Sequence, residues 1–267
     1  MNADQAITPG RLRAMKSAGE RIAVLTAYDA SFGRLLDEAG LDLILVGDSL
    51  GMVVQGHDST RPVTMDDMVY HSACVARGVH RALLAVDMPY RSYDSLEQAL
   101  ANARRLLAEG GAAMVKLEGG GECVEVVRRL TAEGIPVCGH LGLLPQSVEG
   151  PEGYRVQGRE PEDARRILED ARALEAAGAD LLVLECVPAA LGAEVSRTVG
   201  IPVIGIGAGP DCDGQVLVVY DMLGITSGRR PRFVKDFLAA AGSVPAALAA
   251  YVAEVRAGCF PGPEHSY

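Results

Sequence analysis

Eight short apolar runs, alternating with longer amphipathic stretches, constrain this chain more than any other feature of it. The runs are IAVLTAYD (22–29), LILVGD (43–48), ALLAVDMP (82–89), MVKLEG (114–119), PVCGHLG (136–142), LLVLEC (181–186), PVIGIGAG (202–209) and QVLVVYDMLG (215–224). Near-continuous apolar runs suit parallel strands buried on both faces. Residues 31–40, 95–110, 122–134 and 161–178 read as amphipathic helices, each ending in glycine, the usual residue just past a helix C-terminus. Ahead of the first run, Thr8-Pro9 opens a further short helix, with proline at its first position. Alternating βα units with no linker between them predict an α/β fold, a single (β/α)8 TIM barrel over residues 1–267 with an N-terminal helix. A length of 267 residues suits that fold, which takes about 250. With no Trp and only 4% aromatic residues, the core must be built from Val, Ile, Leu and Ala, the residues that fill barrel interiors.

Three irregularities refine the expectation. The motif Ala39-Gly40-Leu41-Asp42 recurs as Ala177-Gly178-Ala179-Asp180, each time just before a run. The seventh and eighth runs lie too close for a crossover helix, so PDCDG (210–214) is expected to be a turn or a helical stub. The connections 49–65 and 143–159 are long and rich in Gly, Ser, Pro and Gln. Loops that follow barrel strands lie at the C-terminal mouth, where barrel active sites are found, and long ones are usually functional.

A formal charge of −10 and a pI near 5.0 leave no electrostatic footprint for nucleic acid or an anionic membrane. No window approaches a membrane span, and the N-terminus carries no apolar run like that of a signal peptide. The six cysteines are scattered and form no C-x-x-C pair, so they read as reduced thiols. Together these features predict a soluble, cytoplasmic protein.

Polar residues stand where the apolar runs end: Asp29, Asp48 with Ser49, Asp87, Lys116 with Glu118, His140, Glu185, the Gly207-Ala208-Gly209 turn and Asp221. Several carboxylates converging on one mouth repel one another unless a proton or a cation compensates. A hard, oxygen-seeking divalent cation such as Mg²⁺ meets that need. Each acid also has a plainer reading, as the N-cap of the next helix. Lys116 and Glu118 are two apart and share a face of their strand. The lysine either binds a substrate carboxylate or neutralises its neighbour. His140, flanked by glycines, is a base, a hydrogen-bond donor or a buried polar group with a partner.

The segments AYDASF (27–32), VGDSLGMVVQGHDSTRPVTMDDMVYH (46–71), MVKLEGG (114–120), PVCGHLGLLPQSV (136–148), VQGR (156–159), LVLECVP (182–188), IPVIGIGAG (201–209) and PGPEHSY (261–267) closely resemble the ketopantoate hydroxymethyltransferases. The likeness runs nearly the whole chain, in order. Before VQGR the family usually carries Asn and a Gly-Gly-aromatic pattern, where this chain reads VEGPEGYRVQGR.

The resemblance implies transfer of a hydroxymethyl group from 5,10-methylenetetrahydrofolate to 3-methyl-2-oxobutanoate. The product is 2-dehydropantoate, at the opening of pantothenate and coenzyme A synthesis. It implies Mg²⁺-stabilised enolate chemistry, with Mg²⁺ on Asp48, Asp87 and Glu118, substrate on Asp48, Ser49, Asp87 and Lys116, and Glu185 as proton acceptor. His140 and Tyr28 are expected to support these groups from behind. It also implies a homodecamer, with an ordered C-terminal tail at a subunit contact. One rival is a lyase of the isocitrate-lyase and phosphoenolpyruvate-mutase group, whose K-K-C-G-H-type loop is missing here. The other is a non-catalytic scaffold barrel, which retention of Asp48, Asp87 and Glu185 argues against.

Overall fold

The computed structural model describes residues 6–148, 155–226 and 230–267. Among them, eight parallel strands close into a barrel in sequence order, with the last returning to pair with the first. They are β1 (Ile22–Thr26), β2 (Leu43–Val46), β3 (Leu83–Asp87), β4 (Met114–Glu118), β5 (Val137–Gly142), β6 (Leu181–Glu185), β7 (Val203–Ile206) and β8 (Gly214–Leu217). Almost every strand residue is buried, as a sheet covered on both faces requires.

The helices form where the local chemistry specifies them. Helix α1 (Pro9–Ala18) starts as expected: the Thr8 hydroxyl accepts from Arg11 N–H at 3.2 Å, Pro9 follows, and Gly19 ends the helix in the left-handed region. The four expected helices are α2 (Ala30–Glu38), α5 (Leu96–Ala108), α6 (Cys123–Ala132) and α7 (Pro161–Ala176). Three more full helices complete the ring: α4 (Met65–Ala76), α8 (Ala189–Thr198) and α11 (Val244–Ala257). Helix α4 opens on a capping box in which Thr64 and Asp67 bond to each other's backbone N–H. The short pieces are α3 (Leu50–Val53), α9 (Val219–Met222) and α10 (Leu238–Ala241).

Two expectations need correction. The eighth run is a strand only to Leu217; its continuation coils into α9, so Asp221 lies in a helix and not at a strand end. Asp29 is the N-cap of α2, its Oδ1 accepting from Ser31 and Phe32 N–H at 2.8 and 2.9 Å, so the plainer reading holds there. Residues 210–213 form a turn, as the short spacing requires, and Gly214 already begins β8. In the long 143–159 connection, a short 3₁₀ turn at Pro145–Ser147 follows β5, and residues 149–154, which carry most of the departure from the family pattern, lie outside the described residues.

The recurring motif has a structural cause at the N-terminal face. Asp42, just before β2, accepts from Ala23 N–H of β1 at 3.0 Å. Asp180, just before β6, accepts from Val137 N–H of β5 at 3.3 Å. Asp213, just before β8, accepts from Val203 N–H of β7 at 2.8 Å. Each carboxylate satisfies a strand-start donor and meets a cation, Arg256, Arg13 and Lys16 respectively. The Lys16 ammonium also donates to Ser196 O and Ile201 O, which ties α1 across this end of the barrel.

At the other end of the chain, the C-terminal tail is ordered against its own barrel. Ala189 N–H donates to Tyr267 O at 2.9 Å, and the Gly207 turn packs under Phe233 and Tyr267. All six cysteines are free thiols, and burial pushes Cys138 and Cys212 up to about 12, which leaves both unreactive. Among the described residues no helix is long and apolar enough to cross a membrane.

Candidate active site

Strand register assembles the cluster at the C-terminal mouth. Asp87 pairs with Lys116 across β3 and β4, Glu118 with His140 across β4 and β5, and Gly142 with Glu185 across β5 and β6. Four consecutive strands thus bring their terminal polar residues side by side. The alternation of side chains sends Lys116 and Glu118 to the same face. Asp48, Asp87, Lys116, Glu118 and His140 are all buried, each 7% exposed or less.

The first half of the cluster is an acid–lysine group. Lys116 Nζ donates to Asp87 Oδ1 at 2.6 Å, and Asp87 Oδ2 accepts from Asp48 N–H at 3.1 Å. Burial alone would lower the Lys116 pKa, but Asp87, Glu118 and Asp48 outweigh it and the ammonium is held charged. Burial, then repulsion from Asp87 and Glu118, raises Asp48 well above the usual carboxylate range. A Cβ on Gly47 would stand 2.7 Å from Ser49 Oγ and 3.5 Å from Asp87 Oδ2, so only glycine leaves that space open. Ser49 Oγ lies 2.9 Å from Tyr28 OH, whose ring stacks on Tyr220 at 5.7 Å.

The second half is a histidine between two carboxylates. His140 Nδ1 lies 3.4 Å from Glu118 Oε1, and His140 Nε2 lies 3.3 Å from Glu185 Oε2. Neither contact is aligned as a hydrogen bond. Burial first, then Lys116, lowers the His140 pKa, so the imidazole is neutral near pH 7. Glu118 is raised by burial to about 7. Glu185 is less enclosed, with 14% of its side chain exposed. It precedes Cys186, a non-glycine residue at φ 49°, a strained conformation of the kind found at working sites. Gly142 (φ 88°) accepts the close approach, since a Cβ there would stand 2.1 Å from Glu185 O.

Two residues that the sequence did not single out complete the cluster. Gln146, on the 3₁₀ turn after β5, bonds Asp48 and Glu118; Tyr93, after β3, bonds Gln146. The only signal for Gln146 was its place in a long loop after a strand. Tyr93 carried none. A cavity of about 200 Å³ opens nearby, lined by Gly120, Gly142, Gln157, Asp163, Arg166 and Asp170, and none of the clustered carboxylates lines it.

A closed parallel barrel with buried acids, a lysine and a histidine gathered at the C-terminal ends of its strands is the architecture of a (β/α)8-barrel enzyme. The family model for ketopantoate hydroxymethyltransferase matches residues 6–263, and the chain belongs to that family. The 3-methyl-2-oxobutanoate hydroxymethyltransferase of Halorhodospira halophila (strain DSM 244 / SL1) is 60% identical over 262 residues, covering 98% of this chain and 95% of that relative. The enzyme of the same name from Alkalilimnicola ehrlichii (strain ATCC BAA-1101 / DSM 17681 / MLHE-1) is 60% identical over 261 residues, covering 98% and 94%. The barrel also matches the crystal structure of phosphoenolpyruvate phosphomutase from Streptomyces platensis subsp. rosaceus, with a TM-score of 0.61 over 81% of this chain and 82% of that one. At 17% identity that likeness is one of fold alone.

Proposed function

We infer that this chain is a hydroxymethyltransferase acting on 3-methyl-2-oxobutanoate to give 2-dehydropantoate, at the opening of pantothenate synthesis. The observation that carries the reading is full-length identity of 60% to enzymes of that name, with the buried Asp48–Asp87–Lys116 group at the mouth. The one-carbon donor in this reading is 5,10-methylenetetrahydrofolate.

The donor set suits Mg²⁺. Asp48 and Asp87 offer hard oxygens beside the opening that Gly47 leaves. Among the described residues no three His, Cys, Asp or Glu side chains form a ready-made metal cage. That agrees with a cation held by one or two carboxylates, with water and substrate filling the remaining positions. Asp48 and Asp87 would be those two, and Glu118, the further carboxylate that the resemblance implies, would add its charge without binding directly. Bound there, it supplies Lewis-acid polarisation of the substrate's keto oxygen.

The chain's own residues do the rest. Lys116, held charged, attracts the substrate carboxylate and fixes its orientation. Ser49, braced by Tyr28, offers a second polar contact. Glu185 takes the proton from C3 onto a carboxylate oxygen, with neutral His140 behind it. The C3 electron pair then forms the new bond to the one-carbon unit as its two C–N bonds to the folate break; water supplies the hydroxyl, and the nitrogens of the departing tetrahydrofolate take one proton from water and the one that Glu185 removed. The testing assay combines the purified chain with 3-methyl-2-oxobutanoate, 5,10-methylenetetrahydrofolate and Mg²⁺, with product detection by mass spectrometry. Production of 2-dehydropantoate that disappears with chelator is expected. No product under these conditions rejects the reading.

A further inference from the structure

Gln146 uses nearly all of its polar capacity inside the protein while only 3% exposed. Its Nε2 donates to Asp48 Oδ2 at 2.8 Å and to Met88 O at 2.9 Å. Its Oε1 accepts from Tyr93 OH at 2.6 Å. Its main-chain N–H donates to Glu118 Oε2 at 3.0 Å. One residue of the loop after β5 therefore grips two carboxylates that come from β4 and from the end of β2.

The polarity of this network is dictated by backbone groups. Met88 O can only accept, so the amide NH₂ must face it. Glu118 N–H can only donate, so the Tyr93 oxygen accepts there, at 3.4 Å, and its single hydrogen goes to Gln146 Oε1. Turning the amide over would set Oε1 against both Met88 O and the Asp48 carboxylate. Asp48 is thus always offered a donor at Oδ2, and its other oxygen takes no part in this network. A buried group held this way has one orientation, and losing a partner leaves unsatisfied polar atoms behind.

We propose that Gln146 is a positioning residue for the divalent cation: it fixes Asp48 and Glu118 from the loop after β5, and Tyr93 sets the polarity of its amide. The proposal rests on the reading of Asp48 and Asp87 as cation ligands. Tyr93 reaches the side-chain carboxylates only through the amide, its other bond being to the Glu118 main-chain N–H, so its effect on those carboxylates disappears once the amide is gone.

The test titrates Mn²⁺ alone, as a stand-in for Mg²⁺, into the full chain and reads free Mn²⁺ by electron paramagnetic resonance. Wild type should bind, and Asp48→Ala should not. Gln146→Leu should weaken Mn²⁺ by roughly 10- to 100-fold, the usual effect of removing a partner of a metal ligand. Tyr93→Phe keeps the ring and should weaken it by roughly 2- to 10-fold, the effect of one hydrogen bond. The double variant should bind no more weakly than Gln146→Leu. Wild-type affinity in either single variant overturns the proposal while the cation reading stands. Should Gln146→Leu not fold, Tyr93→Phe decides alone. A wild-type chain that binds no Mn²⁺ overturns both.

Discussion

Lys116 Nζ lies 2.6 Å from Asp87 Oδ1, with the two side chains only 5% and 4% exposed. Such a pair is asymmetric: removing one member costs more than the pair contributes, because the other charge stays buried. Lys116→Met should therefore destabilise the chain by about 3–5 kcal/mol. Adding Asp87→Asn should recover part of that loss by removing the orphaned charge. Urea denaturation of the single and double variants measures both steps. A double variant no more stable than Lys116→Met alone rejects the account.

Glu118 gives the metal-free chain a pH-dependent stability. Burial raises its carboxyl from the ordinary 4.5 to about 7 in the folded chain. The folded state then holds the proton more tightly than the unfolded state. The contribution is fully present below pH 4.5 and is lost as the pH rises through 7. The loss amounts to about 3 kcal/mol. Neutral His140 contributes in the opposite sense, losing stability as the pH falls, so the measurement must be a difference. Denaturation of wild type minus Glu118→Gln, from about pH 4 to about pH 8, should show the slope. A flat difference would contradict it.

The base can be separated from the cation. In the proposed mechanism, proton removal at C3 needs the keto acid, Mg²⁺ and Glu185, but no folate. The enzyme should exchange the C3 proton of 3-methyl-2-oxobutanoate for deuterium in heavy water, followed by NMR. Glu185→Gln keeps the shape and should slow exchange by roughly 10²–10⁴ while Mg²⁺ still binds. His140, 3.3 Å from Glu185, is the competing base. If His140→Asn stops exchange and Glu185→Gln leaves it untouched, the proton goes to the histidine.

Acids at the two barrel ends should answer to different assays. Asp213 accepts from Val203 N–H and pairs with Lys16, far from the mouth cluster. Asp213→Ala leaves that N–H and three-way lysine contact incomplete. It should cost about 1–3 kcal/mol of stability and leave kcat/KM unchanged. Asp48→Ala should do the reverse, abolishing turnover with the fold kept. A fall in kcat/KM for Asp213→Ala matching that of Asp48→Ala would erase the distinction.

All eight strands were legible because burial on both faces writes a continuous apolar run. The same signal has no period, which is why the eighth run hid the start of α9. Asp29 and Asp48 look alike in sequence, each following an apolar run. A helix begins at the very next residue after Asp29, whose carboxylate bonds its N–H groups. After Asp48 the chain must first pass Ser49, and the Asp48 carboxylate is instead met by Gln146. The repeated Ala-Gly-x-Asp pattern was visible, but its purpose was not, because the strand-start N–H it satisfies lies about twenty to forty residues earlier. Tyr93 was not readable at all, and Gln146 only by its place in a long loop after a strand. Their roles exist only once loops 98 and 53 residues apart from their partners have met.

The hydroxyl of Tyr251, in α11, lies 2.8 Å from Val24 O of β1 and 2.9 Å from Gln215 O of β8, so one side chain spans the seam where first and last strands pair. Val24 is 227 residues away in sequence. During synthesis the chain emerges from its N-terminus. A nascent chain arrested before α11 already carries every strand, yet lacks the side chain that bridges the joint. Ribosome-bound intermediates would therefore hold this joint by the β1–β8 backbone pairing alone until α11 leaves the exit tunnel.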